Sequence, residues 1–372
     1  MNPTDKARYI MIGGFLGAGK TTALERLARH LTSHGLRVGL ITNDQGSELV
    51  DTAMLRARGF TTEEIPGGCF CCRFNSLVDA SRRLTAATRP DVFVAEPVGS
   101  CTDLVATVTY PLRRIYGDDF SIAPVSVLVD PVRARRVLGL EDGGKFSSKV
   151  LYIYRKQLEE ADIIVINKID LLDNHQLSSL REALAANFPQ AEIIAIAARE
   201  SRNLEEWFQR ITGSEQQARN PMQVDYDTYA EGESLLGWLN CTAQLSASDP
   251  FDAGEILRAI SAQIQQRLQR HHAEIAHLKM TLSPDQAIGG AIAAMSLVRN
   301  DFVPELSLEL EDSLQSGQLI INLRAEAAPE LLREVVKESL QALPGAEADL
   351  EHIEAFRPGR PTPTHRFTNA LG

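Results

Sequence analysis

Short apolar runs alternate with longer amphipathic stretches through the N-terminal half of the chain. The runs read YIMIG, RVGLIT, DVFVAE, VSVLVD, DIIVIN and EIIAIA. Each is rich in Val and Ile and apolar nearly throughout, which is typical of strands buried on both faces of a parallel sheet. The stretch KTTALERLARHLTSHG has apolar residues at helical spacing and ends at Gly35, a residue type common just after helices. The alternation predicts an α/β domain over residues 1–213 with a mostly parallel sheet.

A second, smaller domain is predicted after a polar stretch without periodicity. Residues 214–232 are interpreted as a linker, and residues 233–357 as an α+β domain. The order β-α-β-β-α-β predicts a split βαβ, ferredoxin-like arrangement, to which residues 288–310 add strands. The predicted strands lie near 236–245, 273–282 and 317–325, and the predicted helices near 252–271 and 328–342. Residues 358–372, rich in Pro and polar side chains, are expected to form a flexible tail.

Composition and charge argue against several classes of function. The net charge of -11 leaves no broad basic surface for nucleic acid or anionic lipid. The apolar stretch YIMIGGFLGAG is too short and too rich in glycine to span a bilayer, so we expect no membrane and no nucleic-acid partner, and a cytoplasmic location. Five cysteines in a long chain do not form the disulfide framework of a small secreted protein. The cysteine count fits reduced thiols that bind metal or react better than it fits a set of disulfides.

A phosphate-binding motif lies between the first predicted strand and the first predicted helix. GFLGAGKT, from Gly14 to Thr21, matches G-x-x-x-x-G-K-[ST] in the strand-to-helix context that the motif requires. Backbone amides close around phosphate, Lys20 neutralises the outer phosphates, and the Thr21 hydroxyl binds Mg²⁺. This predicts a P-loop NTPase domain. The predicted nucleotide-contacting residues here are Gly14, Gly17, Ala18, Gly19, Lys20, Thr21 and Thr22.

A base-reading motif follows a later strand. In IVINKIDLL, residues Asn167, Lys168 and Asp170 resemble the N-K-x-D motif of GTPases, whose aspartate accepts hydrogen bonds from the exocyclic amine and ring N–H of guanine. Adenine has no such pair of donors. Alone, NKID also fits a strand-to-turn exit. Beside a phosphate loop it favours GTP as the nucleotide.

Two acidic positions are candidates for catalysis beside the phosphate loop. Glu96 ends a buried strand, where a carboxylate can hold Mg²⁺ or its waters, and Gly99 can offer its amide to the γ-phosphate. A capping or turn role for Glu96 is the alternative. Asp44, with Gln45, is a candidate for Mg²⁺ binding and for positioning water, and a solvated loop is the alternative for both.

Three cysteines lie within four positions in GGCFCC. Zn²⁺ and related ions bind thiolates strongly, and in an extended segment Cys69 and Cys71 point the same way. Cys72 joins them only if the chain turns, and the helical pattern that follows favours a turn. Metal binding is preferred over a redox-active cluster or inert buried cysteine. The remaining cysteines, Cys101 and Cys241, are interpreted as isolated packing residues.

Together GFLGAGKTT, CFCC, E-x-x-G and QLEEADIIVINKIDLL strongly resemble the CobW-type GTPase family of metallochaperones. The resemblance covers residues 8–213 and implies a GTP-dependent chaperone that delivers Zn²⁺, or in some members cobalt, to client metalloproteins. By position, the metal ligands are Cys69, Cys71 and Cys72. The chain departs from the family pattern at NDQGS, from Asn43 to Ser47, where the family has N-E-F-G-E, and at AEPVGSCTDL.

The working hypothesis is a switch in which γ-phosphate and Mg²⁺ order the loop from Asp44 to Cys72 and gather the thiolates around the ion. Hydrolysis then loosens the loop and releases the ion. Slow intrinsic turnover is expected, with a partner or a homodimer completing the site. One alternative is a GTPase that helps a cofactor-assembly enzyme or reactivates a corrinoid enzyme. Another is a thiol-based metal or redox sensor with nucleotide as a regulatory ligand.

Overall fold

The computed structural model describes residues 6–45, 50–285 and 291–369. These residues form two compact units, each with its own sheet. Within the described ranges, unit 1 consists of residues 6–45, 60–230 and 361–369, and unit 2 of residues 50–59, 231–285 and 291–360. None of the described helices is long and apolar enough to cross a membrane.

Unit 1 contains a parallel sheet of eight strands. Seven are arranged in the order β3-β2-β4-β1-β6-β7-β8, and β5 pairs with β1 beside β6. All six predicted runs are strands; β3 and β5 were not predicted because they are short and only partly apolar. The strands are β1 (Ala7–Gly14), β2 (Val38–Asn43), β3 (Thr62–Ile65), β4 (Val92–Glu96), β5 (Phe120–Ile122), β6 (Ser126–Val129), β7 (Ile163–Ile166) and β8 (Glu192–Ala195).

Helices connect these strands, as a parallel sheet requires. A π-helical turn at Val105–Thr109 precedes α4, and a 3₁₀ turn at Ile169–Leu171 follows β7. Because all the strands are parallel, their carboxyl ends meet at one edge of the sheet, where ligands bind in such folds. The described α-helices as far as residue 235 are α1 (Lys20–Ser33), α2 (Val50–Ala57), α3 (Phe74–Thr88), α4 (Tyr110–Ile115), α5 (Pro131–Val137), α6 (Ser148–Glu159), α7 (Asn174–Asn187), α8 (Leu204–Gly213) and α9 (Tyr226–Leu235). Of these, α2 belongs to unit 2.

Unit 2 contains an antiparallel sheet in the order β12-β11-β10-β13-β9-β14. Without β11 and β12 its strands and helices follow the predicted split βαβ order, and those two strands come from the 288–310 stretch that was expected to add strands. Apolar residues of both helices, such as Leu257 and Val336, share one core with the sheet. The elements are β9 (Leu236–Phe251), α10 (Ala253–Arg270), β10 (Glu274–Pro284), β11 (Ala293–Leu297), β12 (Glu305–Leu308), β13 (Leu314–Glu326), α11 (Pro329–Gln341) and β14 (Glu347–Phe356).

The segment between β2 and β3 is not the simple loop that the sequence predicted. Its helix α2 belongs to unit 2, where the Val50 amide donates to Asn322 Oδ1 at 3.0 Å and Asp51 forms an ion pair with Lys279. The expected loop from Asp44 to Cys72 therefore contains a helix and a strand. Helix α2 packs within unit 2 and is not a solvated loop, because several of its side chains are half-buried and Asp51 pairs with Lys279.

The C-terminal residues also differ from the expected flexible tail. Residues 361–369, termed the C-terminal strap, belong to unit 1. The Thr364 amide donates to the Cys71 carbonyl and the Phe367 amide to the Ala106 carbonyl, both at 2.9 Å. Side chains reinforce these bonds, since Arg366 forms an ion pair with a buried aspartate. The strap also packs through His365, whose ring lies 5.1 Å from that of Phe74, and through Phe367, whose ring lies 4.9 Å from the Arg114 guanidinium. Low overall apolar content does not predict contacts of this kind.

Candidate functional site

The phosphate motif forms the loop between β1 and α1, as predicted. Gly14 ends the strand, and Lys20 begins the helix. Gly19 has a φ of +88°, and a Cβ there would lie 2.5 Å from Asn167 Nδ2, so this position requires glycine. The loop leads directly into the N-terminus of α1, and a helix N-terminus favours a bound anion.

Lys20, Thr21 and Glu96 are buried together beside this loop. Lys20 Nζ lies 3.8 Å from Glu96 Oε1, and the Thr21 hydroxyl donates to the same oxygen at 3.2 Å. A hydroxyl and a carboxylate are hard oxygen ligands of the kind Mg²⁺ takes alongside phosphate. The donor set therefore fits a Mg–nucleotide. Thr22, next on the helix, is half-buried.

The loop after β4 packs directly on the phosphate loop. A Cβ on Gly99 would lie 2.7 Å from Leu16 Cδ2 and 3.0 Å from the Leu16 backbone nitrogen. The Gly99 carbonyl accepts a hydrogen bond from Gln157 Nε2 at 2.9 Å. Only glycine permits this approach, and it brings the backbone of residue 99 to the side of the phosphate-binding motif.

The NKID segment is bound to the same loop. Asn167 Nδ2 donates to the Ala18 carbonyl at 3.0 Å, and Lys168 Nζ donates to the Gly17 carbonyl at 2.8 Å. Asp170, on the 3₁₀ turn, is exposed. The exposed Asp170 side chain is accessible to a nucleotide base. The side chains of Asn167 and Lys168 hold the turn against the phosphate loop.

Asp44 follows the end of β2. Its carboxylate accepts the Gln45 amide at 2.6 Å, and its own amide donates to the Ile65 carbonyl at 3.4 Å. The preceding residue, Asn43, donates through Nδ2 to the Gly68 carbonyl at 2.6 Å. Ser47, which stands where the family pattern has its second acidic residue, and the neighbouring Glu48 lie outside the described residues.

The three clustered cysteines form a tight turn and not the extended segment that was assumed. The amides of Cys72 and Arg73 donate to the Cys69 carbonyl at 3.0 and 2.9 Å, and α3 starts at Phe74. The predicted turn before a helix is thus present, and it brings the third thiol to the other two. The sulfurs of Cys69, Cys71 and Cys72 lie within 4.8 Å of one another.

Cys101, interpreted from the sequence as a packing residue, is buried. Hydrogen bonds from Cys101 and the other thiols lower the pKa of Cys69, whereas the same contacts raise the pKa of Cys71. The Cys69 thiol raises the pKa of Cys72 to about 11. Cys241 lies in the unit 2 core, as expected.

The cluster fits a thiophilic ion. The measured Sγ–Sγ distances are 2.9 Å for Cys69–Cys71, 3.3 Å for Cys69–Cys72 and 3.6 Å for Cys71–Cys72. Tetrahedral zinc with bonds of about 2.3 Å places sulfurs about 3.8 Å apart. Small side-chain rotations therefore suffice to accommodate Zn²⁺. The C-terminal strap supplies an amide toward this set, because Thr362 N lies 3.2 Å from Cys72 Sγ.

The sequence model for "CobW/HypB/UreG, nucleotide-binding domain" matches residues 8–195. The chain belongs to the CobW/HypB/UreG family. This confirms the resemblance that the motifs indicated, and the matched range covers the phosphate loop, the cysteine turn and the NKID segment.

Two curated relatives of this CobW/HypB/UreG member are similar to part of the chain. The zinc chaperone CobW of Sinorhizobium sp is 31% identical over 47% of the chain and 54% of its own length. The zinc chaperone YeiR of Escherichia coli (strain K12) is 31% identical over 44% of the chain and 47% of its own length. The chain therefore spans about half the length of the curated relatives it matches. Zn(II)-bound YjiA GTPase from E. coli aligns over 91% of the chain and 99% of that structure, at 16% identity and a TM-score of 0.37.

Sequence reasoning missed several residues around the CobW/HypB/UreG motifs. Asp130 accepts from Lys168 Nζ at 3.0 Å, and Arg133 Nη1 donates to the Leu16 carbonyl at 2.8 Å. The Asp-Pro pair after the VSVLV run, a typical helix start, was the available signal. Asp103 and Arg366 carried no such local signal, because they come together only in the tertiary structure.

Proposed function

We propose that this family member is a GTPase that carries Zn²⁺ on Cys69, Cys71 and Cys72 and transfers it to a client metalloprotein when GTP is hydrolysed. The observation that carries the proposal is the three-thiol turn, whose leading residue Gly68 is hydrogen-bonded to Asn43 at the end of β2. That strand end lies at the same edge of the sheet as the phosphate loop. The names of the zinc chaperone relatives support zinc as the cargo.

The nucleotide half of the proposal assigns a role to each buried group. Lys20 neutralises the outer phosphates, while Thr21 and Glu96 hold Mg²⁺, which when bound adds positive charge against the phosphates. Asp170 reads the guanine edge. Asp44 and Gln45 position the attacking water. The backbone contacts to GTP come from Gly14, Gly17, Ala18, Gly19, Thr22 and Gly99, with Asn167 and Lys168 supporting the base site.

The cargo half uses the connection between Asn43 and the thiol turn. With GTP bound, the end of β2 is fixed, and the three thiolates converge on Zn²⁺. Hydrolysis to GDP and phosphate frees that strand end, the turn loosens, and the thiolates exchange the ion for protons as the client's ligands take it. Reduced thiols and GTP are both supplied by the cytoplasm, where we place the protein. A client or a second copy of the chain completes the hydrolytic site.

The deciding experiment is a competition titration of Zn²⁺, Co²⁺ and Ni²⁺ against calibrated chelators, with a GTP analogue or GDP bound. We expect Zn²⁺ to bind the GTP form at least about tenfold more tightly than the GDP form, an allosteric coupling of ordinary size. Tighter Co²⁺ than Zn²⁺ binding, relative to small-molecule thiol chelators, would identify cobalt as the cargo instead.

Two variants make the titration specific. Cys71→Ser should lose high-affinity binding, whereas Cys241→Ser, a thiol equally buried in unit 2, should retain it. Equal zinc affinity in the two nucleotide states would eliminate the switch. A reversible disulfide among the thiols with unchanged GTP hydrolysis would support the sensor alternative.

A further inference from the structure

The C-terminal strap lies directly on the thiol turn formed by residues 69–72. The Thr364 amide donates to the Cys71 carbonyl at 2.9 Å, and the Thr364 hydroxyl donates to the Cys72 carbonyl at 3.2 Å. Two residues earlier in the strap, the Thr362 amide donates to Cys72 Sγ at 3.2 Å. The strap therefore contacts both the backbone of the turn and one of its three sulfurs.

Further contacts hold the strap in place without involving the cysteines. Arg366 Nε lies 2.6 Å from the buried Asp103 Oδ2, and the Phe367 amide donates to the Ala106 carbonyl at 2.9 Å. A segment attached in this way presents the Thr362 amide to the sulfur in a fixed position. Groups that orient metal ligands are preorganised by the same kind of surrounding contact.

Cys72 is the most accessible of the three candidate ligands. Cys69 and Cys71 are buried, whereas Cys72 is half-buried. A ligand of a client that approaches a bound ion from outside meets the Cys72 side of the cluster first. Exchange of the ion is therefore expected to begin with the loss of the Cys72 sulfur.

We propose that the backbone amide of Thr362 is a positioning group that holds the Cys72 sulfur on the ion and slows its transfer, a proposal that rests on the proposed function. A thiolate bound to Zn²⁺ carries negative charge, so a hydrogen bond from the amide to this sulfur is charge-assisted. Loss of that bond weakens the hold on Cys72 and leaves its place on the ion easier for an incoming ligand to take. Movement of the strap thus sets how fast the ion is released.

The contact can be removed through the backbone, because proline has no N–H group. Thr362 precedes Pro363, a position that favours the extended backbone, so Thr362→Pro is compatible with its surroundings. Thr362→Ala is the conservative variant that keeps the amide. Thr368→Pro, at an exposed position of the same strap, is the control.

The test measures the rate at which the zinc-loaded full chain releases Zn²⁺ to an excess of chelator. We expect release at least about tenfold faster from Thr362→Pro than from the wild type, the size of effect usual for removing a group that supports a metal ligand. Thr362→Ala should restore the wild-type rate, and Thr368→Pro should leave it unchanged. A wild-type release rate in Thr362→Pro, or equal acceleration in Thr362→Ala, would overturn the proposal.

Amide hydrogen exchange in the metal-free protein separates the sulfur contact from docking of the whole strap. Protection of the Thr364 amide in Thr362→Pro would show that the strap is still docked, and faster zinc release would then belong to the lost N–H···S bond. Faster release with an unprotected Thr364 amide would overturn the specific role given to Thr362. In the wild type loaded with ¹¹³Cd²⁺, NMR should show a scalar coupling between the Thr362 amide proton and the cadmium nucleus through Cys72 Sγ, and its absence would also overturn the proposal.

Cys71→Ser distinguishes failure of this proposal from failure of the proposed function. If Cys71→Ser binds Zn²⁺ as tightly as the wild type, the thiol turn is not the cargo site and the proposed function fails. If Cys71→Ser loses zinc binding while Thr362→Pro releases zinc at the wild-type rate, only the role of the Thr362 amide is removed.

Discussion

Asn43 Nδ2 lies 2.6 Å from the carbonyl oxygen of Gly68, the residue directly before Cys69. The same amide nitrogen lies 2.8 Å from the Ile65 carbonyl. One buried side chain at the end of β2 therefore holds both the end of β3 and the start of the thiol turn. A displacement of this strand end is transmitted to the cysteines through two hydrogen bonds.

Replacing Asn43 with Ala should loosen the turn. Because the Gly68 and Ile65 carbonyls each lose one donor, and the Ile65 carbonyl keeps the Asp44 amide, we expect a loss of about 1–3 kcal/mol in the free energy of unfolding. Zinc affinity should fall about tenfold, the usual effect of removing a group that orients metal ligands. Urea denaturation and chelator competition measure these quantities.

The matched control is Asn187→Ala, because the exposed Asn187 side chain donates to the Ala183 carbonyl at 2.8 Å within α7. It should change neither quantity by much. Reduced stability of Asn43→Ala with unchanged zinc affinity would limit Asn43 to a role in folding.

Asp170→Asn should change which base the protein accepts. The carboxylate is expected to accept hydrogen bonds from the exocyclic amine and the ring N–H of guanine. The Asn side chain would instead place its own NH₂ donor against one of these guanine donors. The affinity for GTP should fall at least about 100-fold, the cost of two hydrogen bonds to a charged group. Xanthosine triphosphate, whose base has a carbonyl in place of the exocyclic amine, should bind better to the variant.

Equilibrium binding of fluorescent nucleotide analogues measures the change, with Asp142→Asn, another exposed aspartate, as control. If the wild type hydrolyses ATP as readily as GTP, or the variant keeps full GTP affinity, the guanine assignment is wrong.

Arg366→Ala should release the C-terminal strap. Arg366 Nε lies 2.6 Å from Asp103 Oδ2, and Asp103 is 1% exposed. Without the guanidinium the buried carboxylate is left with fewer partners, and the strap loses its charged attachment. Alkylation of Cys72, whose sulfur lies beside the Thr362 amide, should accelerate several-fold.

Mass spectrometry with fragment mapping follows this reaction site by site. Arg181→Ala, at an exposed position on α7, is the control and should leave the rate unchanged. Equal Cys72 alkylation rates in both variants and the wild type would show that the strap does not shield this thiol.

The buried Glu160 side chain should make the free energy of unfolding depend on pH. Burial, followed by the nearby charge of Asp103, raises the pKa of Glu160 to about 8 from its ordinary value of 4.5. Between these values the folded protein keeps a proton that the unfolded chain has lost. Stability contributed by this group is therefore present below about pH 4.5 and is lost as pH rises to about 8, by a few kcal/mol in total.

Glu160→Gln removes this titration while keeping a side chain of the same shape toward Thr102, whose hydroxyl now donates to Glu160 Oε1 at 3.1 Å. The variant should lose less stability than the wild type between about pH 5 and about pH 8 in urea denaturation. Glu159→Gln, on the exposed neighbour, should follow the wild-type curve. Parallel curves for Glu160→Gln and the wild type would contradict the raised pKa.

Local patterns were enough for much of the fold and for the nucleotide motifs. The buried strands are apolar runs, and the phosphate loop is contiguous from Gly14 to Thr21, so its identity is contained in one stretch of residues. The same holds for CFCC, whose turn follows from the helix directly after it. The split βαβ order of unit 2 was also predicted from the sequence, because each helix and strand has its own periodicity of apolar residues.

Contacts between distant segments were decided only by the tertiary structure. Asn43 meets the start of the CFCC turn because β3, which leads into the turn, pairs with β2 in the sheet, and no local pattern encodes that neighbour relation. Thr362 reaches Cys72 across 290 positions of sequence. The sequence by itself determined where the phosphate-loop, NKID and CFCC motifs lie, since each motif is one short contiguous segment. The fold determined which of them share a site, because proximity in space depends on strand order and on the docking of the last residues.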